Sequence, residues 1–152
     1  MDGGHFSGSI HLGSFQPDLM DRIVLRWPEA IGDLATMRDA VSGQPEHARM
    51  AFLGERLIGA GGALKLWPGV GLAWVAVEIL PPRLAFAAIR TCREGLDQIF
   101  AYGQFHRVQA DIRRDFMAAH RLAVLLGFSY EGPMNGYSAD KSDYDRYARV
   151  MK

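Results

Sequence analysis

The chain has 152 residues, with 17 Lys and Arg balanced by 17 Asp and Glu, so its formal net charge is zero and gives no reason to expect a nucleic-acid partner. A hydrophobic fraction of 49% supports one folded domain rather than a disordered chain, and no apolar run is long enough to predict a membrane span. A single cysteine, Cys92, excludes an internal disulfide and fits a reducing cytoplasm.

The first part of the chain predicts a flexible N-terminal segment, a strand and two helical segments. Residues 1–9 are rich in Gly and Ser, and we expect a flexible N-terminus before one domain over 10–152. A short strand is predicted at Ile10–Ser14. A helical pattern begins at Pro17, which suits a first helical position, and a second follows from 31 to 41.

The middle of the chain predicts a hairpin, a buried strand and a long helix. Residues 50–53 and 57–59 read as two strands joined by a tight turn. The nearly continuous apolar run over 72–80 is typical of a strand covered on both faces. An amphipathic helix is predicted over 82–102, with Gly103 ending it.

The last part of the chain predicts strand, helix and two more strands. Apolar and polar residues alternate over 106–113, a period typical of a half-buried strand. We expect a helix over 115–126, capped by Asp115 at its start and ended by Gly127 in the left-handed conformation. A strand then begins at 128, and the alternating segment 144–151 is predicted to be the final strand. The two strands that flank the long helix should be parallel neighbours.

This order of elements, with the segment "HRVQADIRRDFMAAHRLAVLLGFSYEG" at its centre, resembles the GNAT acyltransferase superfamily from about residue 10 to 150. The segments "FQPDLMDRI", "GERLIGAGG", "LWPGVGLAWVAV" and "YDRYARV" further resemble short acyltransferase-like proteins of tailed bacteriophages. The resemblance implies an α/β (α+β) fold with a mixed central sheet, a splayed parallel strand pair and helices on both faces.

The resemblance also implies a function. It indicates a cytoplasmic N-acyltransferase that uses acetyl-CoA or another acyl-CoA as co-substrate and transfers the acyl group to an amine. The acceptor, a small molecule or a protein, is left open, and a modified base amine is not excluded. The alternative is a catalytically degenerate GNAT-fold protein that acts as a phage virion or interaction component. An exposed final strand or the turn at Trp67 could support a homodimer.

In the GNAT superfamily, CoA lies in the gap between the two splayed strands. Here the resemblance assigns pantetheine contacts to the backbone at Val77 and Ile79, either of which could also stabilise the oxyanion. It assigns the phosphates to the helix start at Arg83 and Leu84. The usual Gly-rich phosphate loop is replaced by a segment with two prolines, which removes two N–H donors. We therefore expect weak CoA binding, and a solvated helix face explains Arg83 equally well.

The resemblance suggests which residues act as the general base and the general acid in acyl transfer. Glu78 ends the buried strand and is the candidate base, although an ion pair with Arg83 or a plain strand-end carboxylate is the competing interpretation. The tyrosine that the superfamily uses as acid would fall at Ala123. His120, one turn earlier, is the candidate acid, with water as an alternative; an exposed helix histidine is the simpler interpretation.

Other residues carry simpler expectations. Asp111 belongs to a mixed charge cluster that we expect at a solvated strand end. Trp67 and Trp74 could line an acceptor pocket, but tryptophans in a small core need no such role. The remaining histidines show no metal-ligand spacing, so no metal site is predicted.

Overall fold

The computed structural model describes residues 8–19, 21–22, 34–78 and 80–152. Most of the expected flexible segment 1–9, most of the first predicted helix and the start of the second therefore lie outside the described residues, and so does Ile79.

Within the described residues, seven strands form one mixed sheet in the order β1-β2-β3-β4-β5-β7-β6. The strands are β1 (Ile10–Ser14), β2 (Ala48–Leu53), β3 (Arg56–Trp67), β4 (Val70–Val77), β5 (Arg107–Arg113), β6 (Ser129–Met134) and β7 (Tyr144–Val150). All neighbours are antiparallel except β4 and β5, which are parallel. The predicted parallel pair is confirmed, and the buried strand begins two residues earlier than expected.

Three α-helices are described: α1 (Leu34–Ser42), α2 (Ala85–Gly103) and α3 (Met117–Leu125). They cover both faces of the sheet, because apolar residues point alternately to each side of every strand. On one face, Val41 of α1 packs with Phe15, Met50 and Trp74. On the other face, α2 and α3 enclose a second core, whose buried members include Leu96, Ile99, Phe100, Val108, Ile112, Ala123 and Phe128. The expected fold class is confirmed.

The ends of the helices confirm the predictions for Gly103 and Gly127 and correct the one for Asp115. Gly103 is the last residue of α2, and the left-handed residue is Gln104, with φ of 53°. Glycine is needed at 103 for another reason, since a Cβ there would collide with the ring of Phe105. Asp115 does not cap α3; its carboxylate accepts a hydrogen bond of 2.9 Å from Arg113 Nε. The Asp115 carboxylate is therefore engaged in an ion pair with Arg113 and does not accept from the N–H groups at the start of α3. Gly127, with φ of 89°, is left-handed as expected.

Close contact between β2 and β3 leads to a stability prediction. A Cβ at Gly62 would lie 2.8 Å from Ala48 Cα and would also strike the carbonyl oxygen of His47. Gly62→Ala should lower the free energy of unfolding by about 1–3 kcal/mol, because backbone atoms must move. Urea denaturation measures this change.

Gly95→Ala is the control, because its Cβ would meet only the Leu12 side chain, at 3.5 Å. Helix propensity should make that variant neutral or more stable by about 0.5–1 kcal/mol. Equal losses in both variants would contradict the steric explanation.

Candidate functional site

The parallel strands β4 and β5 pair over only three residues and then separate. Pairing runs from Val70 with Arg107 to Leu72 with Gln109. Beyond that point, β4 stays paired with β3 as far as Val77, and β5 stays paired with β7 as far as Arg113. Each strand follows its own half of the sheet, so a gap opens towards the carboxyl ends of both.

A cavity of about 370 Å³ fills this gap and passes through the sheet. Successive residues of a strand point to opposite faces. The cavity is lined by Ala73 and Val75 on the side of α2 and α3, and also by Trp74 and Ala76 on the opposite side. Two molecules could therefore approach each other through the sheet, one from each face.

The end of the cavity between α2 and α3 is mainly apolar. Its wall includes Cys92 of α2 and Ala119, Ala123 and Leu126 of α3. Ala123 contributes only a methyl group where the resemblance places a tyrosine. Burial raises the pKa of the Cys92 thiol, which keeps it neutral and unreactive. This end suits an uncharged, flexible ligand.

The other end of the cavity is polar and centres on Asp111. The Asp111 side chain is 7% exposed, so the expected solvated position is wrong for this residue, whereas the neighbouring Arg113, Arg114 and Asp115 are exposed as expected. Its carboxylate accepts hydrogen bonds from Arg146 Nε at 2.8 Å and from the Tyr137 hydroxyl at 2.7 Å. Burial and this bond to Asp111 raise the pKa of Tyr137, so the phenol stays protonated. The rings of Tyr137 and Tyr144 lie 5.4 Å apart, and both line the cavity.

Sequence reasoning missed this polar end. Tyr137 lies in a turn 26 residues from Asp111, and Arg146 lies 35 residues away. The available signal was the pairing of two alternating strands, which places Arg146 opposite Asp111. Of the two tryptophans, Trp74 lines the cavity, whereas Trp67 is 57% exposed and does not line it.

Glu78 directly follows β4 and forms an ion pair. Its Oε1 atom lies 2.6 Å from Arg56 Nη2, and the two side chains are 18% and 33% exposed. Its backbone N–H donates to the carbonyl of Ile58, which extends the pairing of β3 with β4 by one residue. The preceding residue, Val77, lines the cavity. Glu78 thus lies at the edge of the cavity, and Arg56 fixes the position of its carboxylate.

The start of α2 offers few N–H donors to an anion. Pro81 and Pro82 have none. A 3-10 turn over Pro82–Leu84 precedes the helix, and in it the Leu84 N–H donates to Pro81 and the Ala85 N–H donates to Pro82. Arg83 is exposed beside this turn. The sequence expectation of a poor phosphate site is consistent with this geometry.

His120 is buried, so its interpretation as an exposed helix histidine is wrong; 9% of it is accessible. Its Nε2 lies 3.1 Å from the carbonyl oxygens of Arg113 and Arg114, which can only accept, so Nε2 carries a proton. In the neutral ring, Nδ1 then accepts from the Tyr147 hydroxyl at 2.9 Å. His120 is absent from the cavity lining and joins α3 to the end of β5 and to the middle of β7.

The described part of the chain contains no group of three or more His, Cys, Asp or Glu that could hold a metal ion. It also contains no helix long and apolar enough to cross a membrane.

Several solved structures share this architecture. Ard1 from Thermoplasma volcanium matches with a TM-score of 0.78 at 16% identity, over 95% of this chain and 99% of that chain. A GNAT-family acetyltransferase from Streptococcus pneumoniae matches with a TM-score of 0.69 at 15% identity, over 94% and 100%. A ribosomal alpha-N-protein acetyltransferase in complex with CoA matches with a TM-score of 0.71 at 18% identity, over 96% of each chain.

These similarities show that the chain has the GNAT fold. No protein-family model matches the chain, and no curated protein matches it.

The contacts of His120 predict a structural role. His120→Ala removes the acceptor of the buried Tyr147 hydroxyl, and we expect the free energy of unfolding to fall by about 1–3 kcal/mol. Chemical denaturation measures the loss. Arg121→Ala, on the exposed side of the same helix, should change stability by less than about 0.5 kcal/mol. A His120→Ala variant as stable as the parent would contradict this assignment.

Proposed function

We propose that this protein is an acyl-CoA-dependent N-acyltransferase. The observation that carries the proposal is the cavity that passes through the sheet where β4 and β5 separate. A thioester arm can enter between α2 and α3, and an amine can approach from the polar face. Strand edges that diverge inside a protein present backbone groups to such an arm. A structure of the same fold holds CoA.

The reaction follows from this arrangement. The amine nitrogen attacks the thioester carbonyl carbon, the C–S bond breaks, and an amide and the free thiol of CoA are formed. Glu78 takes the proton of the amine, directly or through water, because it directly follows β4 beside the cavity and Arg56 positions its carboxylate. The oxyanion accepts from a backbone N–H near Val77 or Ile79.

Water supplies the proton to the leaving thiolate in our proposal. His120 could act as the acid only after it exchanged one of its protein hydrogen bonds, since both ring nitrogens have protein partners. A thiolate is a good leaving group, and protonation by water is sufficient. The Tyr137 hydroxyl donates to Asp111, so its oxygen can still accept a bond from the acceptor amine.

Several finer expectations stay predictions. The amine acceptor, small molecule or protein, is not identified by the polar end. A homodimer, a cytoplasmic location and a bacteriophage origin are likewise untested. The alternative is a protein of this fold that has lost catalysis and acts as a virion or interaction component. The two prolines before α2 favour it because they remove N–H donors for the CoA phosphates, but none of the three similar structures supports it.

CoA binding gives the first test. Acetyl-CoA should bind with a Kd of micromolar or weaker, because each missing hydrogen bond to a charged phosphate costs about 1.5–3 kcal/mol. Arg83→Ala should weaken binding further, as measured by isothermal titration calorimetry. Arg38→Ala removes the same charge from α1, on the opposite face, and should leave the Kd unchanged. A Kd far below micromolar, or an unaffected Arg83→Ala variant, would show that phosphate binding was misassigned.

Glu78 gives the second test, once a panel of amines has revealed an acceptor. Glu78→Gln should reduce kcat by about 10²–10⁴-fold while the Kd for acetyl-CoA changes little, because a general base is lost without loss of the binding site. Glu55→Gln, in the exposed turn between β2 and β3, is the matched control and should be fully active. If the folded Glu78→Gln variant keeps full turnover, Glu78 is not the general base and is only a carboxylate at the end of the strand.

A further inference from the structure

We infer that the acyl group of the donor is longer than acetyl, and that an unbranched acyl chain of medium length binds beneath α2. The inference rests on the proposed function and specifies its donor. The same cavity that passes between β4 and β5 continues sideways under α2, across β3 and β2, to Leu12 of β1. Its walls there include Gly61 of β3, Ala51 of β2 and Gly95 of α2.

The direction of this extension separates it from the space for the pantetheine arm. The arm would run along the gap, parallel to β4 and β5, and place the thioester where the amine can reach it through the sheet. The extension instead runs across the strands. Neighbouring strands lie about 4.8 Å apart, so the wall at β2 is about 10 Å from β4. An acetyl group cannot span that distance, whereas an extended medium-length acyl chain can.

The side chains around the extension favour an apolar occupant. Leu12, Ala51 and Ile99 contribute hydrocarbon surface. The Thr91 hydroxyl already donates to the carbonyl of Ala87 at 2.8 Å, and the Cys92 thiol is kept neutral by burial. A hydrocarbon chain would therefore meet neither an unbonded Thr91 hydroxyl nor a thiolate there, and each buried methylene would strengthen binding about three- to fourfold.

Arg49 limits the length of the chain. It lines the same cavity, and its guanidinium is held in place by protein oxygens. Nη1 donates to Ala48 at 2.8 Å and to Glu46 at 3.1 Å, and Nε donates to Gln98 Oε1 at 3.3 Å. A chain that reached this cation would have to desolvate it, so affinity should stop rising with chain length.

A series of thioesters tests the inference on the full chain. Isothermal titration with CoA, acetyl-, butyryl-, hexanoyl-, octanoyl- and palmitoyl-CoA should show the Kd falling at least about tenfold from acetyl to octanoyl, with no further gain for palmitoyl. Acetyl-CoA that binds as tightly as octanoyl-CoA would overturn the inference and leave the proposed function standing. If neither CoA nor any thioester binds, the proposed function fails and the inference fails with it.

Filling the extension provides a matched pair of variants. Gly95→Leu should weaken octanoyl-CoA binding at least about tenfold and leave acetyl-CoA within about twofold. Ala101→Leu adds a leucine to the same helix at an exposed position away from the cavity, and should change neither Kd. Ala51→Leu fills the extension from the sheet and replaces Gly95→Leu if that variant fails to fold. Equal loss of both ligands would contradict a separate acyl site.

Discussion

The separation of β4 from β5 is the constraint on which the site depends. The pair is parallel and joined over three residues, while each strand keeps an antiparallel partner on its other side almost to its end. Backbone N–H and C=O groups that are buried without a hydrogen-bond partner are costly in free energy. Where β4 and β5 separate, the facing backbone groups of the two strands can regain partners from a ligand that carries its own polar groups. Residues on both faces of each strand then become walls of one cavity, which is why chemistry can take place through the sheet.

Regular periodicity made the architecture predictable. The alternation over 106–113, the apolar run over 72–80 and the amphipathic pattern over 82–102 each specify an element and a buried side, and the crossover rule makes the two strands parallel. The boundaries of these three elements shifted by at most three residues, whereas β3 continues to Trp67, well beyond the strand predicted there. Asp115 was misread because local capping and a charged pair with Arg113 compete for the same carboxylate, and no pattern along the chain indicates which prevails.

The candidate site was much less predictable, because its contacts join distant positions. His120 was expected at the surface, yet its hydroxyl partner lies 27 residues further along the chain. Asp111 and Arg146 look like two solvated charges until β5 and β7 pair. Glu78 was correctly placed at the end of the buried strand, but its partner Arg56 lies across the hairpin. Sequence patterns report which side of an element is buried, and they do not report which polar groups meet there.

The three-residue junction between β4 and β5 also divides the sheet mechanically. Strands β1 to β4 form one plate and β5 to β7 another, and each plate is held together by longer antiparallel pairs. A small rotation about the junction changes the width of the gap while the register within each plate is kept. The second core, however, contains residues of both plates, Ala63 of β3 and Val108 of β5 among them, so any such rotation must also repack that core.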